Sequence, residues 1–370
     1  MAYGTVNADV IGTSVAGSNL GAGDASIMKN RIINGAMVID QRNAGASVTV
    51  NANQYTLDRW QVFQSATGKY SVQQNAGSVT PPVGFQKYLG CTSLSSYSVS
   101  SGDYFFFQQV IEANNMQDLA WGTANAKAVT LSFQVYSSVT GTFSGSIENY
   151  SGNRSYPFTY TVSSANTWTT ISVNIAGDTT GTWTATGNSG WGSVNFDLGS
   201  GSTIRGTANA WASGNYIGAT GSASIIATSG ATFYITGVQL EVGSSATGYE
   251  YRQYTTELQL CQRYCYSLTN TAGGNGGISI STNWQNNTTY NVIPFPVTMR
   301  ALPSMSAASA STFKTYYAGA AYTPTSIDLG NNLTTSAEVS CGFSGTPFTI
   351  GASGWLRLQS GAYLNFTAEL

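Results

Sequence analysis

From Arg31 onward, apolar and polar residues alternate with a period of two. The alternating runs are separated by Gly, Asn, Ser and Thr turns at a spacing of about 8 to 12 residues, the pattern of an antiparallel β-sandwich. They are YTLDRWQVF (55–63), KYSVQQ (69–74), DYFFFQQVI (103–111), AVTLSFQVYSS (128–138), GTFSGSIENY (141–150), SYPFTYTV (155–162), TWTTISVNI (167–175) and ATFYITGVQLEVG (231–243). In TLSFQVY, Leu131, Phe133 and Val135 point one way and Ser132, Gln134 and Tyr136 the other, as in a sheet with one wet face. In FYITGVQLEV the apolar register passes from Phe233 and Ile235 to Val238, Leu240 and Val242 across Gly237, which predicts a bulge. Trp60 and Trp168 have apolar strand neighbours and are expected in the core.

TTELQLCQRYCYSL alone carries a helical period. Thr256 and Gln259 form a capping box, and Leu258, Cys261 and Cys265 recur on one face, predicting a linking helix over 255–267. The Gly-rich TNTAGGNGG (269–277) that follows marks a domain boundary near residue 268. NTTYNVIPF, FKTYY, PFTIG, GWLRLQ and AYLNFTAEL then predict a second, smaller β-sandwich over 268–370. Residues 1–30 offer Val6, Ala8 and Val10 and then small residues, too little to offset the entropy of ordering them. They read either as an arm ordered on a partner or as a frayed terminus. The expected fold class is all-β: an extended arm (1–30), an antiparallel sandwich (31–254), a short helix (255–267) and a smaller sandwich (268–370).

Composition narrows the function. The 370 residues include 42 Gly, 22 Tyr and no His, only 8% are charged, and the net charge is −2. Such a surface stays soluble through hydroxyls and amides, and it lacks the basic run that nucleic-acid binding needs. No apolar run reaches the roughly 18 residues of a spanning helix, and Met1–Asn30 has neither the basic start nor the apolar core of a signal peptide. Neither nucleic acid nor membrane insertion is expected. Four cysteines, Cys91, Cys261, Cys265 and Cys341, are too sparse for a disulfide framework and read as buried thiols.

Without histidine, neither a Ser-His-Asp triad nor a Cys-His pair can be built. Glycan hydrolysis needs only two carboxylates, but Asp103, Glu112, Asp118, Glu148, Asp178 and Asp197 are scattered singly. Asp178, in AGDTTGTW, suits an Asx-turn better than a calcium site, and no cofactor is expected. Binding fits better. Trp and Tyr offer flat apolar faces with a polar edge, which suit sugar rings. The candidates are Trp183, Trp191 and Trp211 in Gly-rich loops of the first sandwich, and Trp284, Tyr290, Tyr316, Tyr317 and Tyr322 in the second.

NRIINGAMVIDQRNAGASV, YTLDRWQV, FYITGVQLEVGSSATGYEYRQYTTELQLCQRYCY, FPVTMRALPS and AYLNFTAEL occur in this order, and together they resemble a family of bacteriophage and prophage tail-fibre or appendage proteins. The resemblance spans about Asn30 to Leu370. It implies a virion protein, usually homotrimeric, with a jelly roll similar to carbohydrate-binding modules and a distal β domain facing host glycans. The arm, with Tyr3, Val6, Val10 and Leu20, would dock on other virion proteins. A capsid-attached head fibre or decoration protein and a glycan depolymerase are the alternative readings. Lys29–Arg42 would be the first strand of the jelly roll, with Arg31, Asp40, Arg42, Glu241 and Arg252 pairing where the domain's first and last segments meet.

Overall fold

A computed structural model of the chain describes residues 28–270 and 273–370, so Tyr3, Val6, Val10 and Leu20 lie outside the described residues. The described chain is all-β apart from one α-helix and short 3-10 turns. It forms two compact units, one of residues up to Tyr254 and one of Thr255–Glu369.

The N-terminal unit is a sandwich of two antiparallel sheets. One holds six strands in the order Val48–Thr49, Tyr70–Gln74, Leu89–Ser93, Thr232–Val242, Val129–Ser137, Thr169–Ile175. The other holds seven, in the order Ala212–Ser213, Arg154–Val162, Gly141–Asn149, Gly190–Asp197, Phe105–Glu112, Trp60–Gln64, Gln54–Leu57. Strand alternation fills the space between them. Leu131, Phe133 and Val135 point inward as expected and share one buried cluster with Phe143, Ile147, Phe158 and Phe196 of the facing sheet. Phe133 meets Phe196 edge-on at 5.0 Å, so the two inner faces interdigitate. Each such burial contributes roughly 1.5 to 3 kcal/mol. Trp60 is fully buried, whereas Trp168 is only half-buried. It packs in a separate cluster with Tyr88 and Tyr136 and donates its indole N–H to the Thr80 carbonyl at 2.8 Å.

The bulge is where the register change placed it. Pairing between Thr232–Val242 and Val129–Ser137 shifts between Thr236 and Gln239, and Gly237 takes φ 62°. A Cβ there would stand 2.5 Å from the Phe85 ring, so both conformation and space demand glycine.

Residues 29–42, in contrast, form no strand. Asn34 and Met37 take φ 57° and 59°, and the Asn34 side chain donates to the Ile39 carbonyl at 2.8 Å and accepts from the Ile39 N–H at 3.0 Å. Local side-chain bonds replace the ladder that the alternation suggested. Asp40 likewise accepts the backbone N–H groups of Arg42, Asn43 and Gly45, capping a turn instead of joining an ion pair with the last segment. The first and last segments of the unit do meet through charged groups. Glu250 accepts from the backbone N–H groups of Lys29 and Asn30, Lys29 lies 3.9 Å from Glu241, and Arg252 donates to the Ile32 carbonyl. Arg31 turns elsewhere and pairs with Asp118 at 2.7 Å.

The C-terminal unit has a seven-stranded antiparallel sheet in the order Ala320–Tyr322, Phe313–Tyr317, Ser353–Leu358, Gly276–Gln285, Thr288–Pro294, Ser336–Gly342, Ser326–Asn332. A three-stranded sheet of Cys265–Thr269, Tyr363–Thr367 and Ser304–Ala307 accompanies it. Phe313, Val339, Leu356, Leu364 and Phe366 share their buried cluster. The helix is shorter than its sequence period: it runs Tyr254–Gln262, not 255–267. Cys265–Thr269 is a strand whose five residues pair with Tyr363–Thr367, and that ladder outweighs the four-residue spacing of Cys261 and Cys265. What read as the end of a linker is therefore part of the C-terminal unit's small sheet. All four cysteines are buried. Burial pushes up the thiols of Cys91 and Cys341, the latter to about 12. Among the described residues no helix is long and apolar enough to cross a membrane.

Candidate functional site

The loop tryptophans of the N-terminal unit converge, but on each other. Trp183 and Trp191 lie 4.4 Å apart between ring centroids, and Trp121 reaches Trp183, Trp191 and Trp211 at 4.9, 4.9 and 5.0 Å. Three indole N–H groups are used internally: Trp121 donates to the Lys127 carbonyl, Trp211 to the Ala176 carbonyl and Trp183 to Asp178 Oδ2. Asp178 also takes a two-pronged contact from Arg154, at 2.8 Å to Nε and 2.7 Å to Nη2. Burial pushes the Asp178 carboxyl up, yet the bonds from Arg154 and Trp183 outweigh it and hold it down at about 2. Asp178 is thus the anchor of an aromatic corner. Trp191 is buried and Trp183 and Trp211 are half-buried, so this corner is mostly packing. Trp121 and Arg154 were not singled out from the sequence; AWGTANAK carries no strand pattern to mark the first.

On the outward face of the seven-stranded sheet of the same unit, alternate positions build a polar row. Gln108 donates to Asn195 Oδ1 at 2.9 Å and Asn195 donates to Ser146 Oγ at 3.0 Å. Glu148 follows Ser146 on the same face and is 5% exposed. Burial, only partly offset by a hydrogen bond from Asn195, raises its carboxyl to about 7. Glu148 Oε1 has no hydrogen-bond partner among the described residues.

The large sheet of the C-terminal unit gives a different result. In Ser353–Leu358 buried Gly354, Leu356 and Leu358 alternate with Ser353, Trp355 and Arg357, which puts Trp355 and Arg357 on the outward face. Register carries that face across the sheet: Trp355 stands opposite Tyr316 on one side and Ile280 on the other. Thr282 stands opposite Tyr290, and Val292 opposite Glu338. Ile280 is 68% exposed, Trp284 73%, Val292 60% and Trp355 57%. Large apolar and aromatic side chains are thus exposed together on this one face. A groove of about 460 Å³ runs along it, lined by Thr282, Trp284, Tyr290, Val292, Asn331 and Glu338. One wall is aromatic and apolar, the other carries an amide and a carboxylate. Trp284, Tyr290 and Tyr316 of the expected site residues are brought onto this face. Tyr317 and Tyr322 are not: both pack edge-on against Phe348 of the buried cluster, at 5.5 and 5.3 Å. The strand alternation of FKTYY explains the split, since neighbouring Tyr316 and Tyr317 must face opposite ways. Among the described residues no group of three or more metal-ligating side chains is present.

No family model and no curated protein matches the sequence. Solved structures overlap with part of it. The enzymatically active domain of tailspike protein 4 of bacteriophage CBA120 is similar at 13% identity and TM-score 0.32, over 58% of this chain and 22% of that one. The chain thus matches about a fifth of that solved domain's length. A family 11 carbohydrate-binding module from Clostridium thermocellum, solved with a mixed-linked tetrasaccharide, is similar at 12% identity and TM-score 0.27 over 55% of this chain and 98% of that one. A CBM4 module is similar at 16% identity and TM-score 0.28 over 57% and 98%. At these overlaps the likeness carries no functional argument, and the sandwich assignment rests on the strand order and register of the chain itself.

Proposed function

We propose that this chain is a non-catalytic, glycan-binding appendage protein of a bacteriophage virion, with the outward face of its C-terminal large sheet as the recognition surface. The observation that carries the glycan reading is the set of exposed rings Trp284 and Trp355, with Tyr290 and Tyr316, on one rigid sheet beside Asn331 and Glu338. Rings supply stacking area for the apolar face of a pyranose, and the neighbouring amide and carboxylate supply hydrogen bonds to its hydroxyls. The virion reading is supported by the five ordered sequence signatures. Assembly as a homotrimer would place three such faces on one particle and raise avidity by roughly 10² to 10⁴ over one site. A glycan array probed with the purified chain, and repeated with the Trp284→Ala and Trp355→Ala double variant, tests the reading. Wild-type signals lost in the variant are expected; equal signals from both proteins would overturn it.

One observation favours the rival reading of a glycan hydrolase: a carboxyl raised to about 7, at Glu148, has the ionisation of a general acid. Release of reducing ends from host polysaccharide, abolished by Glu148→Gln, would decide for it.

A further inference from the structure

The recognition face of the C-terminal sheet is electrically lopsided. Its cations, Lys314 and Arg357, stand opposite one another on the adjacent strands Phe313–Tyr317 and Ser353–Leu358. Its acids, Asp328 and Glu338, lie three strands or more away from Arg357, on Ser326–Asn332 and Ser336–Gly342. Neighbouring strands are about 4.8 Å apart, so the acids stand beyond a Debye length of about 8 Å from the guanidinium. Lys314 is turned to the Thr323 hydroxyl. Arg357 is held over two rings, with Cζ 4.6 Å from the Tyr316 centroid and 5.4 Å from that of Trp355. Its Nε is buried with no hydrogen-bond partner, and no carboxylate pairs with it among the described residues. A planar cation fixed by aromatic stacking, with its donors unspent, is pre-organised for a planar or tetrahedral anion.

The same residue lines an open, shallow cavity of about 290 Å³, together with Tyr316, Trp355, Ser353 and the turn residues Ala318 and Gly319. Both turn residues have positive φ, 48° and 81°, which fits the tight two-residue hairpin between Phe313–Tyr317 and Ala320–Tyr322. Asn275 donates to the Tyr316 hydroxyl at 2.9 Å and steadies the ring on which Arg357 lies. This cavity and the Trp284 groove share one face, with exposed Ile280 opposite Trp355 and exposed Val292 in the groove's own lining.

We infer that the Arg357 cavity binds the anionic substituent, carboxylate or phosphate, of an acidic surface glycan whose neutral sugars stack along the rest of the face. The inference rests on the glycan-binding reading above and adds a charge requirement to it. Arg357 supplies the charge-assisted hydrogen bonds, Tyr316 and Trp355 hold it in place, and Ser353 lies beside the anion. An uncharged glycan brings no counter-charge to the guanidinium and would cover it without a charge-assisted partner, so the site discriminates against it.

The experiment is calorimetric titration of the full chain and its Arg357→Gln variant with three probes: a short galacturonic acid oligomer, the methyl ester of the same oligomer, and mannose 6-phosphate. Wild-type protein is expected to bind an acidic probe at least about tenfold more tightly than the ester, with the preference lost in Arg357→Gln and weakened by added salt. The carboxylate and phosphate probes separate the two sources of negative charge. Because Arg357 makes no hydrogen bond that the fold needs, the variant should keep the wild-type melting temperature. Equal binding of oligomer and ester, unchanged in the variant, would overturn the inference while leaving glycan binding standing. Failure of the wild type to bind any saccharide, here and on the glycan array, would overturn both.

Discussion

The two units use tryptophan in opposite ways. In the N-terminal unit, Trp121 and Trp183 each lie within 6 Å of each other and of both Trp191 and Trp211, and three of the four indole N–H groups end on protein acceptors. In the C-terminal unit, Trp284 and Trp355 lie on a sheet face with more than half their surface exposed. Neither donates its indole N–H to protein among the described residues. An indole whose polar edge is satisfied within the fold contributes to stability; one whose edge and face are both open contributes only when a partner arrives. Ring content alone therefore does not mark a binding surface. What separates the two groups is exposure: Trp191 is buried, whereas Trp284 and Trp355 stand open on a sheet face.

Substitutions should separate the two classes. Trp191→Ala removes a buried ring from the corner and should destabilise the N-terminal unit by about 3 to 5 kcal/mol, read by chemical denaturation. A loss under about 1 kcal/mol would make that corner a surface after all. Asp178→Asn should cost about 3 kcal/mol, because the Arg154 side chain, 17% exposed, loses its partner. Its stabilising effect has a definite pH window: since the folded carboxyl sits near 2, below its unfolded value, the contribution is complete above about pH 4 and fades as pH falls through 2.

Glu148 runs the other way. Its carboxyl is raised to about 7, so the folded state is favoured below the unfolded value of about 4.3, and that advantage is lost as pH rises through 7. Glu148→Gln should therefore stabilise the protein above pH 7, by 2 to 3 kcal/mol as an order-of-magnitude figure, and flatten the pH dependence of the melting temperature. Parallel pH profiles for the two proteins would refute the assignment. The smallest change in stability is expected at Trp284→Ala, within about 0.5 kcal/mol, although its affinity for a glycan should fall roughly tenfold. Comparable melting losses at Trp284 and Trp191 would abolish the contrast between the units.

The strands were largely legible because alternation is a local property. Leu131, Phe133 and Val135 face inward, and the switch of register across Gly237 is the bulge. GWLRLQ held the position of Trp355 and Arg357 in the same alternation, since Leu356 and Leu358 can be buried only if their neighbours face out. Expectations failed where a few side-chain bonds overrode a pattern. Asn34 and Asp40 turned an apparent first strand into a capped turn, and pairing with Tyr363–Thr367 ended the helix at Gln262. Tyr317 and Tyr322 could not be told from Tyr316 by composition, because only the location of Phe348 shows which side is core.

The sequence by itself determined the all-β character, the period-two faces, the glycine at the bulge, and the absence of histidine-dependent chemistry. Each follows from residue type and spacing along the chain. Tertiary structure decided which rings are spent on packing and which are exposed, that Arg357 lies over Tyr316 and Trp355 with no carboxylate partner among the described residues, and that Glu148 loses its solvent. Those are matters of what stands across a strand or beneath a loop, and dielectric, burial and hydrogen-bond satisfaction are set by such neighbours, not by position in the chain.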